Sequence, residues 1–157
     1  MLKPPDQQSS PDGRLAQDRS AGGPDRAAAP GTPAAQDARS RPARVLIVED
    51  EYLVACLLEE DLLSQGYELV GPCTTLASAL DASRREPFDL AVLDINLNGE
   101  MSYPLAEELV ARGVPLLFLT GYTAGNLPEP LRALPRVSKP YDPAVLAREI
   151  RRLLATR

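Results

Sequence analysis

The chain contains no histidine and two cysteines among its 157 residues. Cys56 and Cys73 are not spaced as a CxxC pair, so a zinc site made of thiolates and imidazoles is not indicated. Isolated cysteines are typical of free thiols in a reducing compartment, which leads us to expect a cytoplasmic protein. No apolar run approaches membrane-spanning length, so no membrane partner is expected.

Residues 1–42 have no aromatic residue and no Val or Ile, and they contain seven prolines, four glycines and eight alanines. Such a segment cannot bury enough apolar surface to fold. We therefore predict a disordered tail over 1–42 and one folded domain over 43–157. The folded part has a net charge of −6, which argues against nucleic acid as a partner.

After Pro42, strand and helix patterns alternate five times, which predicts an α/β fold with a doubly wound parallel sheet. Strands are expected near 44–49, 68–70, 90–94, 116–119 and 136–138. Helices are expected over 51–64, with Leu57 on its buried face, over 76–85, over 103–111 with Ser102 as N-cap, and from Asp142–Pro143 to about 154. The segment 123–134 is interrupted by Gly125, Pro128 and Pro130, so it is a poor helix.

Four of the predicted strands end in polar side chains: Glu49–Asp50, Asp94, Thr120–Gly121 and Lys139–Pro140. Since the carboxyl ends of parallel strands meet at one edge of a sheet, these groups should share a site. Three carboxylates there would repel each other, and Mg²⁺ with its preference for oxygen ligands would relieve the repulsion. We expect Asp50 and Asp94 as direct ligands and Glu49 acting through a water. Lys139 and Thr120 would bind phosphoryl oxygens.

In this order the residues resemble the bacterial response-regulator receiver domains. The segment 118–122, Phe-Leu-Thr-Gly-Tyr, is similar to the motif of the FATGUY subgroup, and 94–97, Asp-Ile-Asn-Leu, to its phosphorylation-site sequence. The resemblance implies a flavodoxin-like (βα)5 fold with strand order 2-1-3-4-5. It also implies that Asp94 accepts the phosphoryl group, that the backbone carbonyl of Asn96 joins the metal ligands and that the bond before Pro140 is cis.

One position departs from the pattern of that family. Receivers carry Tyr or Phe three residues before the lysine, and the ring moves inward on phosphorylation; here the residue is Arg136. The usual aromatic switch is therefore absent or altered. Tyr122 and Tyr141 are close by in sequence, but the sequence does not assign either of them this role.

The resemblance implies a stand-alone receiver that is not an enzyme. A histidine kinase, of the HWE class by analogy with FATGUY receivers, or a phosphotransfer protein would phosphorylate it. A further, unidentified protein would read the output. Each residue alone has a simpler explanation: Asp50 as a helix N-cap, Asp94 and Thr120 as turn residues, Lys139 as a surface charge.

Two other functions fit a similar sheet. A haloacid-dehalogenase-type phosphatase needs a second aspartate two residues after the first, and Asn96 occupies that place. A flavodoxin-like cofactor binder needs a glycine-rich phosphate loop after the first strand, where residues 49–51 are all acidic.

Overall fold

A computed structural model describes residues 41–121 and 127–156 of the chain. Within them the strands are β1 (Arg44–Val48), β2 (Glu68–Cys73), β3 (Leu90–Leu93), β4 (Asn96–Leu97), β5 (Glu100–Met101), β6 (Leu116–Thr120) and β7 (Arg136–Ser138). Five of them form one parallel sheet in the order β2-β1-β3-β6-β7. Counted over this sheet alone, that is the predicted order 2-1-3-4-5, and the flavodoxin-like fold is confirmed.

The helices are α1 (Tyr52–Ser64), α2 (Leu76–Arg85), α3 (Tyr103–Ala111) and α4 (Pro143–Ala155), close to the predicted bounds. In the described residues after β6, a 3₁₀ turn spans Glu129–Leu131. The prediction of a helix-poor segment thus holds over 127–134, and 122–126 lie outside the described residues. Across the described ranges, the helices are too short or too polar to span a bilayer.

Two apolar cores cover the two faces of the sheet, because side chains alternate along each strand. On β1, Val45 and Ile47 face one core, and Leu46 and Val48 face the other, and all four are at most 1% exposed. The first core includes residues of α1 and α4, and the second includes residues of α2 and α3. Helices on both faces leave the ends of the strands as the open parts of the sheet.

The expected burial of Leu57 is wrong. Helix α1 buries Ala55, Leu58 and Leu62, which follow one another at intervals of three and four residues. Leu57 lies about 100° around the helix from Leu58 and is 55% exposed. Leu53, one turn earlier, is 75% exposed, so α1 presents apolar side chains on its outer face as well.

Strand β2 is longer than predicted, and it runs through Gly71–Pro72 to Cys73. Cys73 pairs with Val48, and its carbonyl accepts a hydrogen bond of 3.0 Å from Glu49 N–H. Proline is tolerated because β2 is an edge strand. At Gly71, a Cβ would lie 2.7 Å from the carbonyl oxygen of Ile47, so glycine permits this close approach.

The short antiparallel hairpin of β4 and β5, which begins two residues after Asp94, was not predicted from the sequence. Asn98 and Gly99 join the two strands with positive φ angles of 55° and 95°. An Asn-Gly pair is a strong hairpin signal, and it was present in the sequence. The strands are too short for their apolar pattern to be visible.

Candidate functional site

An open cleft lies at the carboxyl edge of the parallel sheet. Its lining residues come from the ends of β1, β3 and β6, the β4–β5 hairpin and the segment after β7: Asp50, Glu51, Asp94, Asn96, Asn98, Gly121 and Lys139. Distant parts of the sequence therefore meet in the place predicted for a ligand site in this fold.

Asp94 is held by backbone contacts at the end of β3. Its N–H donates to the Val48 carbonyl at 2.8 Å, and its own carbonyl accepts from the Ser102 hydroxyl at 2.6 Å. Asp94 is 7% exposed, and Ser102 is fully buried. The Asp94 carboxylate is therefore fixed at the cleft while its backbone is tied to β1 and to the start of α3.

Lys139 follows β7 and carries the cation of the cleft. Its backbone N–H donates to the Thr120 carbonyl at 3.1 Å. The Lys139–Pro140 peptide bond is cis, as the resemblance implied. The Lys139 Nζ lies 2.6 Å from Asp94 Oδ2, 2.7 Å from Glu49 Oε2 and 3.2 Å from Glu51 Oε1. The ammonium thus stands among three carboxylates.

Electrostatics keep this lysine charged. Burial alone would lower the pKa of the Lys139 ammonium, but its hydrogen bonds and charge contacts with Asp94 and Glu49 outweigh burial and raise that pKa. Burial raises the pKa of the Glu49 carboxyl, and the contact with Lys139 offsets part of this rise. Glu49 is 1% exposed, and its Oε1 accepts from Glu51 N–H at 3.0 Å.

Glu49, Asp50 and Asp94 each place a carboxylate oxygen within 4.8 Å of the others. Such a set fits a divalent cation, because a hard cation prefers oxygen ligands and cancels the repulsion among them. Lys139 supplies one positive charge to this group, so the residues present retain an excess of negative charge that a cation would balance. The donor set therefore suits the predicted Mg²⁺.

The hairpin after Asp94 orients the remaining polar groups of the cleft. Asn96 N–H donates to Asp94 Oδ1 at 3.2 Å, and its side-chain oxygen accepts from Gly99 N–H at 2.6 Å. Asn98 N–H donates to Asp50 Oδ2 at 2.9 Å. Asp50 thus faces the cleft and does not cap α1, whose N-cap position is taken by Glu51. Asn96 lies beside Asp94, and the role of its backbone carbonyl as a metal ligand stays a prediction.

The predicted switch residues do not all lie at the cleft. Thr120 ends β6 and is 1% exposed, and the next residue, Gly121, lines the cleft. Arg136 lies on β7 opposite Phe118, where its Nη2 donates to the Arg132 carbonyl. The structure therefore connects Arg136 to the segment after the 3₁₀ turn and not to the cleft. Tyr122 lies outside the described residues.

Sequence reasoning missed three contributions to the site. Ser102 was expected to cap α3; it holds the N-cap position, but its hydroxyl bonds to Asp94. Glu51 pairs with Lys139, and Asn98 bonds to Asp50. The Asn-Gly turn could have placed Asn98 near the cleft, and the position of Glu51 directly after Asp50 could have placed Glu51 there. Nothing in the sequence distinguishes the Ser102 hydroxyl from an ordinary cap.

The sequence profile of the family described as response regulator receiver domain matches residues 45–151. The transcriptional regulatory protein PdtaR of Mycobacterium tuberculosis is 31% identical over 105 residues, which cover 64% of this chain and 51% of PdtaR. The chain spans about half the length of the first curated relatives it matches.

Solved structures of other proteins have a fold similar to that of this chain. The solution structure of SdrG from Sphingomonas melonis Fr1 superposes with a TM-score of 0.64 and 38% identity, covering 72% of this chain and 97% of SdrG. The response regulator PhyR from Brucella abortus superposes with a TM-score of 0.64 and 30% identity, covering 78% of this chain and 53% of PhyR.

Proposed function

We propose, because this chain belongs to the response regulator receiver domain family, that Asp94 accepts a phosphoryl group from a phosphohistidine on another protein. The observation that carries the proposal is the convergence of Asp94, Asp50 and Glu49 with the Lys139 ammonium at one edge of the sheet. A donor on another protein is required because the chain has no histidine of its own.

In the proposed reaction, an Asp94 carboxylate oxygen attacks phosphorus and the phosphorus–nitrogen bond of the donor breaks. The electron pair of that bond returns to the donor imidazole, and Asp94 becomes an acyl phosphate. Lys139 would hold one phosphoryl oxygen, and the Thr120 hydroxyl would donate to another. Both groups must be in position before attack. The hydrogen bond from the backbone N–H of Lys139 to the Thr120 carbonyl links their positions.

Asp50 and Asp94 would hold Mg²⁺, with Glu49 acting through a water and Asn96 contributing its backbone carbonyl. When bound, the ion neutralises charge on the attacking carboxylate and on the phosphoryl oxygens. The buried Glu49, whose pKa is raised by burial, benefits most from a cation nearby, because its charge is the most poorly hydrated of the three.

The partner is proposed to be a sensor histidine kinase, of the HWE class by the FATGUY resemblance, or a phosphotransfer protein. The phosphorylated form would act through contact with a further protein. A cytoplasmic location is proposed with it, and the two free cysteines support that location. The chain is proposed to be an acceptor and not an enzyme, since Asn96 occupies the place of a second catalytic aspartate.

The test is incubation of the protein with Mg²⁺ and a small phosphodonor such as acetyl phosphate, followed by intact-mass measurement. We expect one phosphoryl group per chain, stable in acid and lost in base, and none when Mg²⁺ is chelated. Continuous turnover of the donor without a covalent adduct would indicate a phosphatase and contradict the proposal. No uptake under any condition would contradict it as well.

A further inference from the structure

Glu51 occupies the N-cap position of α1 without capping the helix. Its backbone is extended, with φ −80° and ψ 110°, and its side chain makes no hydrogen bond to the first turn. An acidic side chain at a helix N-terminus would normally be stabilised by the N–H groups there. The Glu51 carboxylate instead lies 3.2 Å from the Lys139 Nζ, at the mouth of the cleft.

Lys139 is surrounded by carboxylates before any phosphoryl group arrives: its ammonium donates hydrogen bonds to Asp94 and Glu51 and lies in ion-pair contact with Glu49. Its ammonium carries three N–H groups, and it faces oxygens of three carboxylates, on Asp94, Glu49 and Glu51. A phosphoryl oxygen that binds Lys139 therefore competes with these carboxylates for the ammonium.

The three contacts differ in how easily they can be released. The side chains of Glu49 and Asp94 are 1% and 9% exposed, and their contacts with Nζ are 2.7 and 2.6 Å. The Glu51 side chain is 63% exposed and its contact is 3.2 Å, the longest of the three. A released Glu51 carboxylate regains water at once, whereas a released Glu49 carboxylate would be left buried without a positive charge beside it.

We infer that Glu51 is the exchangeable partner of Lys139, a positioning residue that holds the ammonium in the unphosphorylated protein and gives way to the incoming phosphoryl oxygen. This inference rests on the proposed function. The Glu51 carboxylate competes with the phosphoryl group for Lys139 and adds negative charge at the mouth of the cleft. Glu51 therefore weakens the binding of phosphoryl mimics and slows the reaction of small anionic phosphodonors with Asp94.

The experiment measures binding of beryllofluoride, a phosphoryl mimic, at saturating Mg²⁺, by following the amide signals of Gly121 and Lys139 in NMR spectra. Glu51→Gln removes the charge, and Glu51→Ala removes the oxygens as well. Neither change takes away a helix cap, because the side chain makes no capping bond. We expect both variants to bind about twofold to fivefold more tightly, the range that an exposed ion pair supports.

Glu107→Gln is the matched control, an exposed carboxylate on α3 that does not line the cleft, and its affinity should equal that of the wild type. Raising the salt concentration should reduce the difference between Glu51→Gln and the wild type. Equal or weaker binding by both Glu51 variants would overturn the inference.

Titration with Mg²⁺ alone separates competition for Lys139 from a role in holding the metal. Glu51 is outside the group of carboxylates that converge within 4.8 Å among the described residues, so its variants should keep the Mg²⁺ affinity within about twofold. A tenfold loss would make Glu51 part of the metal site and overturn the inference. If the wild type failed to bind beryllofluoride at all, the proposed function itself would fail.

Discussion

Two aspartates lie at opposite ends of strand β3 and are buried to nearly the same extent, yet their surroundings are opposite. Asp89, 9% exposed, precedes the strand and accepts two hydrogen bonds from the Arg41 guanidinium, at 2.9 and 3.0 Å, and one from Arg44 N–H at 2.9 Å. Asp94, 7% exposed, follows the strand and shares one ammonium with Glu49 and Glu51.

The difference between the two ends shows how one sheet separates stability from function. At the amino edge, the guanidinium forms a bidentate pair with Asp89, so that carboxylate is matched by a cation of its own. At the carboxyl edge, Asp50, Glu49 and Asp94 converge while Lys139 supplies the nearby positive charge. The first arrangement stabilises the fold without any ligand, and the second becomes favourable when a cation and a phosphoryl group bind.

The largest expected effect is the loss of phosphoryl uptake in Asp94→Asn, which keeps the shape of the side chain but removes the nucleophilic oxygen. Uptake from acetyl phosphate, measured by intact mass, should fall to zero. Asp89→Asn, at the other end of the same strand, is the control and should be phosphorylated at the wild-type rate while it remains folded. Wild-type uptake by Asp94→Asn would show that another residue is the acceptor.

At the amino edge the expected effect is on stability. Asp89→Ala removes the acceptor of three hydrogen bonds and leaves Arg44 N–H without this partner. We expect a loss of about 1–3 kcal/mol in the free energy of unfolding, measured by urea titration without Mg²⁺. Asp81→Ala breaks an exposed i,i+4 pair with Arg85 and should cost less than about 0.5 kcal/mol. Equal losses in the two variants would contradict the stabilising role of the amino edge.

The next prediction is a gain in stability where the previous one was a loss. Asp50→Asn at the carboxyl edge should abolish Mg²⁺ binding and yet stabilise the metal-free protein, because it relieves repulsion with Glu49 and Asp94. The gain should be on the order of 1 kcal/mol, since like charges about 4 Å apart repel by that amount when water screens them. The Asn98 N–H can still donate to the amide oxygen of the new side chain.

Thermal melts with and without Mg²⁺ test this prediction. The wild type should gain stability from the ion, and Asp50→Asn should not. A variant that melts clearly below the metal-free wild type would show that the acidic residues do not repel each other in the folded state, and the contrast between the two edges of the sheet would fail.

The fold was predictable because its signals are local and repeated. Buried strands such as β3 and β6 are short apolar runs, and each is followed by or ends in a polar residue, so order along the chain predicted Asp94 and Thr120 at one edge. The strand order could not come from the pattern alone and was supplied by the resemblance. Leu57 was assigned to the buried face wrongly because α1 carries apolar residues on its outer face too, so the spacing of apolar residues does not identify the buried face.

The parts of the site that the sequence did not predict depend on where single polar groups point. Ser102 and Glu51 both hold N-cap positions, where a side chain normally bonds to its own helix. In both cases the side chain bonds across the fold instead, to Asp94 and to Lys139. Such a choice is decided by tertiary contacts, which are not visible in a window of a few residues.

The smallest expected effect concerns where the domain begins. Arg41, which the predicted boundary assigns to the tail, forms the bidentate pair with Asp89. Deleting residues 1–40 should leave the free energy of unfolding and the rate of phosphoryl uptake unchanged, because that segment has too few apolar residues to pack on the core. Deleting 1–42 also removes the guanidinium, and this should cost about 1 kcal/mol, since Arg41 is partly exposed.

Arg41→Ala in the full-length chain should reproduce the cost of the longer deletion, which attributes it to the side chain and not to the new terminus. In all three proteins the rate of uptake at Asp94 should stay at the wild-type value, because Arg41 acts at the opposite end of β3. A fall in stability on deleting 1–40 alone would mean that the tail packs against the domain. A slower uptake by Arg41→Ala, measured while the protein is fully folded, would mean that the two ends of the strand are coupled and not independent.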